Sequence, residues 1–207
     1  MEAAGFEGRG GPPHQTMMRS KQRGAVAKPP ARLLRLHRHS LVSILVIGGA
    51  AGEREAMARA FHRASPLRDR PFMTLDCGRD ESTLRRALQG WLLPASGVPN
   101  PNPLRDVEGG TLFLDRLERL SARAQQQLLV LAHHIRGGPG TALKMPARLA
   151  AGSAAPRLDD PRPAIAPELL DCLDKIRVEV GVAATGLAQE MVAEVEREGR
   201  TAAARHR

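Results

Sequence analysis

The chain has 207 residues, the length of one domain with tails, and carries 31 Lys and Arg against 22 Asp and Glu, a formal net charge of +9. Aromatic residues make up only 2% of it, so the core must be aliphatic, and the exposed aromatic platforms on which single-stranded nucleic acids stack are excluded. Two cysteines, Cys77 and Cys172, are too few for a disulfide framework and lack the spacing of a zinc site, which points to two buried thiols in a reducing cytoplasm.

Residues 1–40 hold eight Lys and Arg against two Glu, with paired prolines and hardly any apolar period before Leu33. Such a segment buries too little apolar surface to offset its chain entropy, so a disordered basic arm is expected. The run from Leu41 to Ile47 is the longest apolar stretch, far short of the ~18 residues of a membrane span. No apolar segment precedes a small-residue cleavage site, so the N-terminus does not read as a secretory signal. That run, closed by Gly48 and Gly49, has the pattern of a strand buried on both faces. Met57, Ala60, Phe61 and Ala64 then fall on one helical face, and strand, glycine turn and helix open a βαβ unit.

A second unit follows, with a strand over 71–75 and a helix over 81–91 that aligns Leu84, Leu88 and Trp91. Prolines at 94, 99, 101 and 103 make the next stretch a surface loop. Gly109 and Gly110 lead into a buried strand over 111–115 that ends on Asp115. The spacing of Leu117, Leu120, Ala124, Leu128, Leu131 and Ile135 predicts one helix over 117–135, and the adjacent His133 and His134 on it point different ways, as a solvated pair does. Further on we expect a turn at 137–140, a small-residue strand at 147–151, a proline-rich stretch at 154–163 and a helix over 167–173. An edge strand at 176–180 and a last helix with Leu187, Met191 and Val195 on one side complete the chain. Alternating strands and helices imply an α/β fold with ligands at the carboxyl ends of a parallel sheet.

Residues 48–55, Gly-Gly-Ala-Ala-Gly-Glu-Arg-Glu, stand where a phosphate-binding loop would, between a buried strand and a helix N-terminus. Such loops converge backbone N–H groups and the helix dipole on phosphate oxygens, with a lysine reaching the outer phosphates. In the pattern G-x-x-x-x-G-K the last glycine is here Glu53 and the lysine is Arg54. Glu53 brings a Cβ and a negative charge to the point of closest anion approach, and Arg54 replaces a compact ammonium by a planar group.

Three segments together resemble the AAA+ domain of sigma-54-dependent transcriptional activators: Ala58 to Ser65, Arg70-Pro71-Phe72-Met73-Thr74-Leu75-Asp76-Cys77, and Glu108-Gly109-Gly110-Thr111-Leu112-Phe113-Leu114-Asp115 with Gln125-Gln126-Gln127-Leu128-Leu129 behind it. They are similar to that family's helix after Walker A, its P-F-x-x-x-N-C strand and its G-G-T-L-F-L-D-E Walker B. The resemblance implies a P-loop NTPase-like three-layer fold over 41–180, flanked by the disordered arm (1–40) and a C-terminal helix with a basic tail (181–207).

It also implies ATP and magnesium as ligands, with Gly48, Gly49, Gly52, Arg54 and Glu55 as an altered nucleotide-binding loop and Asp115 as the magnesium ligand. Arg116 stands at the position of the acid that would polarise the attacking water, and a guanidinium cannot act as a base. Ser153 aligns with the family's polar sensor, and Ala166 and Cys172 fall near its trans-acting arginines, which neither can replace. Leu88-Gln89-Gly90-Trp91 matches the end of the helix before the G-A-F-T-G-A loop, but residues 94–103 carry prolines instead of that loop.

The expected function is that of a catalytically inactive, cytoplasmic regulator of transcription that acts by protein binding, with room for residual ATP binding. Its expected partners are sigma-54 RNA polymerase or an active AAA+ paralogue whose ring it joins or caps. A weakly active, nucleotide-gated ATPase is the alternative, as is salt-sensitive, non-specific DNA contact through the basic arm. Homo-oligomerisation stays open.

Overall fold

Five short parallel strands form one sheet, and the order in which they lie fixes where a ligand could sit. The computed structural model describes residues 30–92, 102–136, 145–155, 164–180 and, beyond these, residue 197. In chain order the elements are α1 (Pro30–His37), β1 (Ile44–Ile47), α2 (Ala51–Arg63), β2 (Phe72–Asp76), α3 (Glu81–Leu92), α4 (Pro103–Asp106), β3 (Thr111–Asp115), a 3-10 turn (Leu117–Arg119), α5 (Ala122–Arg136), β4 (Arg148–Ser153), α6 (Pro167–Leu173) and β5 (Ile176–Glu179). The strands lie in the order β2-β3-β4-β1-β5, all parallel.

Period-two alternation on the strands divides the core into two layers. On one face Leu45, Ile47, Leu112, Leu114, Leu149 and Ala151 pack against α3, α5 and α6. On the other, Ile44, Val46, Phe113, Ala150 and Val178 pack against Met57, Ala60 and Phe61 of α2 and Leu34 of α1. The strands β1, β3 and β4 are buried from end to end, as an aliphatic strand covered by helices on both faces must be. β5 alternates buried and exposed residues, in keeping with its place at the sheet edge.

Two expectations need correction. Pro30–His37, placed within the disordered arm, forms a helix whose Leu34 is only 2% exposed among Ile44, Met57 and Val178. The arm's average composition is that of a disordered chain, but its end carries Leu33 and Leu34, and contact with the sheet supplies the burial that the segment lacks alone. The single helix over 117–135 is two pieces. Arg116 adopts φ 55° and leads into the 3-10 turn, and α5 starts only after Ser121, whose hydroxyl accepts the N–H of Ala124. Residues 1–29, most of the proline-rich stretches at 94–103 and 154–163, the turn at 137–140 and the final helix with its arginines, Arg197 apart, lie outside the described residues. Among those described, no helix is long and apolar enough to cross a membrane.

Candidate functional site

The carboxyl ends of β1, β3 and β4 meet at one edge of the sheet, and the loop from β1 into α2 arches over them. Gly48 and Gly49 have φ of 79° and 61°, a left-handed turn that residues with a Cβ rarely adopt. A Cβ on Gly49 would come within 2.6 Å of the Glu53 carboxylate. That carboxylate accepts the Ala50 N–H at 2.7 Å, so Glu53 folds back over the loop and caps the helix it belongs to.

Arg54 points the other way, under the loop. Its Nε donates to Oδ1 of Asp115 at 2.6 Å and its Nη2 to Oδ2 at 2.9 Å, the parallel two-bond geometry that guanidinium and carboxylate share. Its Nη1 donates to the carbonyls of Gly49 at 2.6 Å and Gly48 at 3.2 Å. Both members of the pair are buried. The hydrogen bonds that Arg54 donates to Asp115 push its pKa up against the opposing effect of burial, so the cation keeps its charge.

The pair reaches across one intervening strand, because β4 lies between β3 and β1, which leads into α2, and a glycine makes this possible. A Cβ on Gly152 would lie 2.4 Å from Oδ1 of Asp115 and 2.9 Å from the Phe113 ring. Its absence leaves the gap through which the carboxylate reaches Arg54.

A second ion pair lies beside the first. Arg116, one residue after Asp115, turns its guanidinium onto both oxygens of Asp76, with Nε donating to Oδ1 at 2.8 Å. Asp76 faces Asp115 across the β2–β3 register and also accepts the N–H groups of Gly78 and Arg79. Burial pushes the Asp76 carboxyl up, but Arg116 and those N–H groups outweigh it and hold the group below the usual aspartate value. Ser153, at the end of β4, donates its hydroxyl to Glu118 at 2.9 Å, and its carbonyl accepts the Gly48 N–H.

The structure therefore gathers Gly48, Gly49, Arg54 and Asp115 at one point, and separates Gly52 and Glu55 from it. Gly52 lies in the first turn of α2 with open space around it, and nothing there requires a glycine. Glu55 pairs along the helix with Arg59, whose guanidinium covers the Phe72 ring. The sequence reading missed Asp76, Glu118 and Gly152. An acid at the end of a strand beside Asp115, and a lone glycine inside a buried strand, were the signals that could have found Asp76 and Gly152.

These residues do not fit a magnesium-bound nucleotide as they are arranged. Both oxygens of Asp115 are taken by a buried guanidinium, Glu55 is turned to Arg59, and two loop carbonyls face inward where N–H groups would have to meet phosphate. Among the described residues no cluster of three His, Cys, Asp or Glu could hold a metal ion.

Comparison with known proteins shows a likeness of fold and of sequence. NtrX from Brucella abortus, solved in complex with ATP, superposes with a TM-score of 0.58 at 20% identity, over 78% of this chain and 39% of that one, a likeness of fold. GlrR, a transcriptional regulatory protein of Escherichia coli, is 38% identical over 99 residues, which are 46% of this chain and 22% of the relative. ZraR of the same species is 35% identical over 119 residues, or 53% of this chain and 27% of the relative. The chain thus spans about a quarter of the length of these relatives. The model of the sigma-54 interaction domain matches residues 21–137, more than half of the chain. With its P-loop NTPase-like sheet and its likeness to transcriptional regulators, the chain belongs to the sigma-54 interaction domain family.

Proposed function

We propose that this protein is a non-hydrolytic member of its family, a regulator of transcription that works in the cytoplasm by binding other proteins. The observation that carries the reading is the Arg116–Asp76 pair. Hydrolysis of a nucleotide needs a base beside the metal ligand to orient and polarise water. The residue after Asp115 is a guanidinium already bound to a carboxylate, and it has no lone pair to offer. Loss of a single group of this kind costs orders of magnitude in rate.

What is left for such a domain is recognition. Sigma-54 RNA polymerase, or an active relative whose assembly it joins, is the partner this reading favours. Purified protein at high concentration should release no phosphate from magnesium-ATP above the rate of buffer alone. When it is mixed with an active sigma-54 activator domain, it should co-elute with that domain and alter its ATPase rate. Steady, magnesium-dependent turnover by the protein alone, abolished by Asp115→Asn, would overturn the proposal in favour of a weakly active ATPase.

A further inference from the structure

The loop between β1 and α2 has the wrong polarity for a phosphate. In an anion-binding turn, successive N–H groups point into the concavity. Here the carbonyls of Gly48 and Gly49 point into it and receive Nη1 of Arg54. A guanidinium has five N–H donors. Four are engaged: Nε and Nη2 on Asp115, and Nη1 on two carbonyls. The loop is thus shaped as a cradle for a cation, and the cation is its own. On its outer side, the Ala50 N–H, a donor a phosphate would use, is taken by the Glu53 carboxylate at 2.7 Å. An anion arriving on that outer side meets the Glu53 carboxylate where the Ala50 N–H would have received it.

We infer that the loop is self-liganded: Glu53 takes the place of the phosphate and Arg54 the place of the lysine and metal, so polyphosphate is kept out and the strand ends hold one arrangement whether or not nucleotide is present. This rests on the reading of the site as non-hydrolytic, and it adds a property that the reading does not require, since a site without a base can still bind. Its consequence is regulatory. In a nucleotide-gated relative, the surface near the loop would change with the state of the bound phosphates. In this chain the Arg54–Asp115 bond holds β1, α2 and β3 together continuously, so a partner meets a single form of that surface at every nucleotide level.

The test restores the pattern G-x-x-x-x-G-K with Glu53→Gly and Arg54→Lys together, and titrates pyrophosphate and magnesium-ATP into wild type and variant by calorimetry, with circular dichroism to establish folding. Wild type should give no binding heat, and its melting temperature should be unmoved by either ligand. The folded double variant should bind pyrophosphate at least tenfold more tightly than the limit set by wild type. Pyrophosphate binding to wild type as tight as to the variant would overturn self-liganding. So would a folded variant that still binds nothing. Where the double variant does not fold, the wild-type melting curve decides, because stabilisation by magnesium-ATP is incompatible with a filled loop. Binding without turnover in wild type would sink this inference alone, whereas turnover would sink the non-hydrolytic reading.

Discussion

Arg54 and Arg148 are equally buried, each 2% exposed, and they stand at opposite ends of the sheet. Arg54 lies over the carboxyl ends of the strands and shares two bonds with Asp115. Arg148 opens β4 at the amino end, and among the described residues its guanidinium meets only carbonyls, those of Ser40 and Phe61, while its Nε has no partner. Partnering by Asp115 pushes the first pKa up, and burial alone pushes the second down to about 10. The difference shows that burial does not by itself decide what a cation does to a fold. A carboxylate at the same depth makes a closed, neutral unit, whereas carbonyl dipoles only offset part of the desolvation.

The sharpest way to break the comparison is to make Arg54 resemble Arg148. Asp115→Ala strands a buried guanidinium on two carbonyls, and breaking such a pair costs about 3–5 kcal/mol. The midpoint of urea unfolding should fall accordingly. Replacing both members, with Arg54→Met and Asp115→Leu, should recover most of that loss, because the attraction within a buried pair barely exceeds its desolvation. A single variant that unfolds within ~0.5 kcal/mol of wild type would mean that the pair is not the closed unit its bond lengths describe.

Much of this was legible in the chain, for identifiable reasons. The strand over 111–115 was predicted to the residue, since a run of aliphatic side chains between Gly110 and a charged pair has one physical solution, and the buried face of α3 followed from the spacing of Leu84, Leu88 and Trp91. At the site, Arg54 and Asp115 are each legible from their motifs, but their bond to each other is not. They are separated by 61 residues and joined across an intervening strand, and local spacing carries no information about such a pairing. The device that permits it, the missing Cβ of Gly152, reads in sequence only as one more small residue in Ala150-Ala151-Gly152-Ser153. Asp76 escaped for a similar reason, because its partner Arg116 follows a different strand. α1 was lost because its stability comes from Leu34 on the sheet and not from its own composition.

A middle-sized effect distinguishes the two ends by pH. At the amino end His62 is buried beside Arg148. Its Nε2 lies 3.1 Å from the carbonyl of Arg70, which can only accept, so Nε2 carries the proton and Nδ1 accepts the Thr111 hydroxyl at 3.0 Å. Burial lowers the His62 pKa below the ordinary histidine value of 6.5, helped by Arg148, Arg59 and Arg63 and opposed by the Arg70 carbonyl. The folded value lies below the unfolded one, so this stabilisation is complete above pH 6.5 and is lost as pH falls through the folded value. Stability should therefore decline on acidification from pH 6.5 down to the folded value, with a slope from this group of at most about 1.4 kcal/mol per pH unit. His62→Gln should flatten the profile relative to wild type in urea titrations at several pH values. Parallel profiles for the two proteins would show that His62 is not held neutral.

The smallest effect is expected where the charge looks most costly. Arg148→Met removes a guanidinium that is buried without a carboxylate, and with it the bonds to Phe61 on α2 and to Ser40 on the chain leading from α1 to β1. Two bonds from a charged donor to carbonyls contribute about 1.5–3 kcal/mol each, and an effective desolvation penalty of several kcal/mol opposes them. The balance should leave the variant within about 1 kcal/mol of wild type at neutral pH, in contrast to Asp115→Ala at the other end of the sheet. The pH dependence separates this balance from mere tolerance of a surface change. The folded pKa of Arg148, near 10, lies below that of the unfolded chain, so the fold favours its neutral form. The associated stabilisation is full at high pH and is lost as pH falls toward 10. Wild type should gain on the variant as pH is raised past that value, although both lose stability as other pairs titrate. A constant difference between them from pH 8 to pH 11 would place Arg148 in water, and the contrast with Arg54 would disappear.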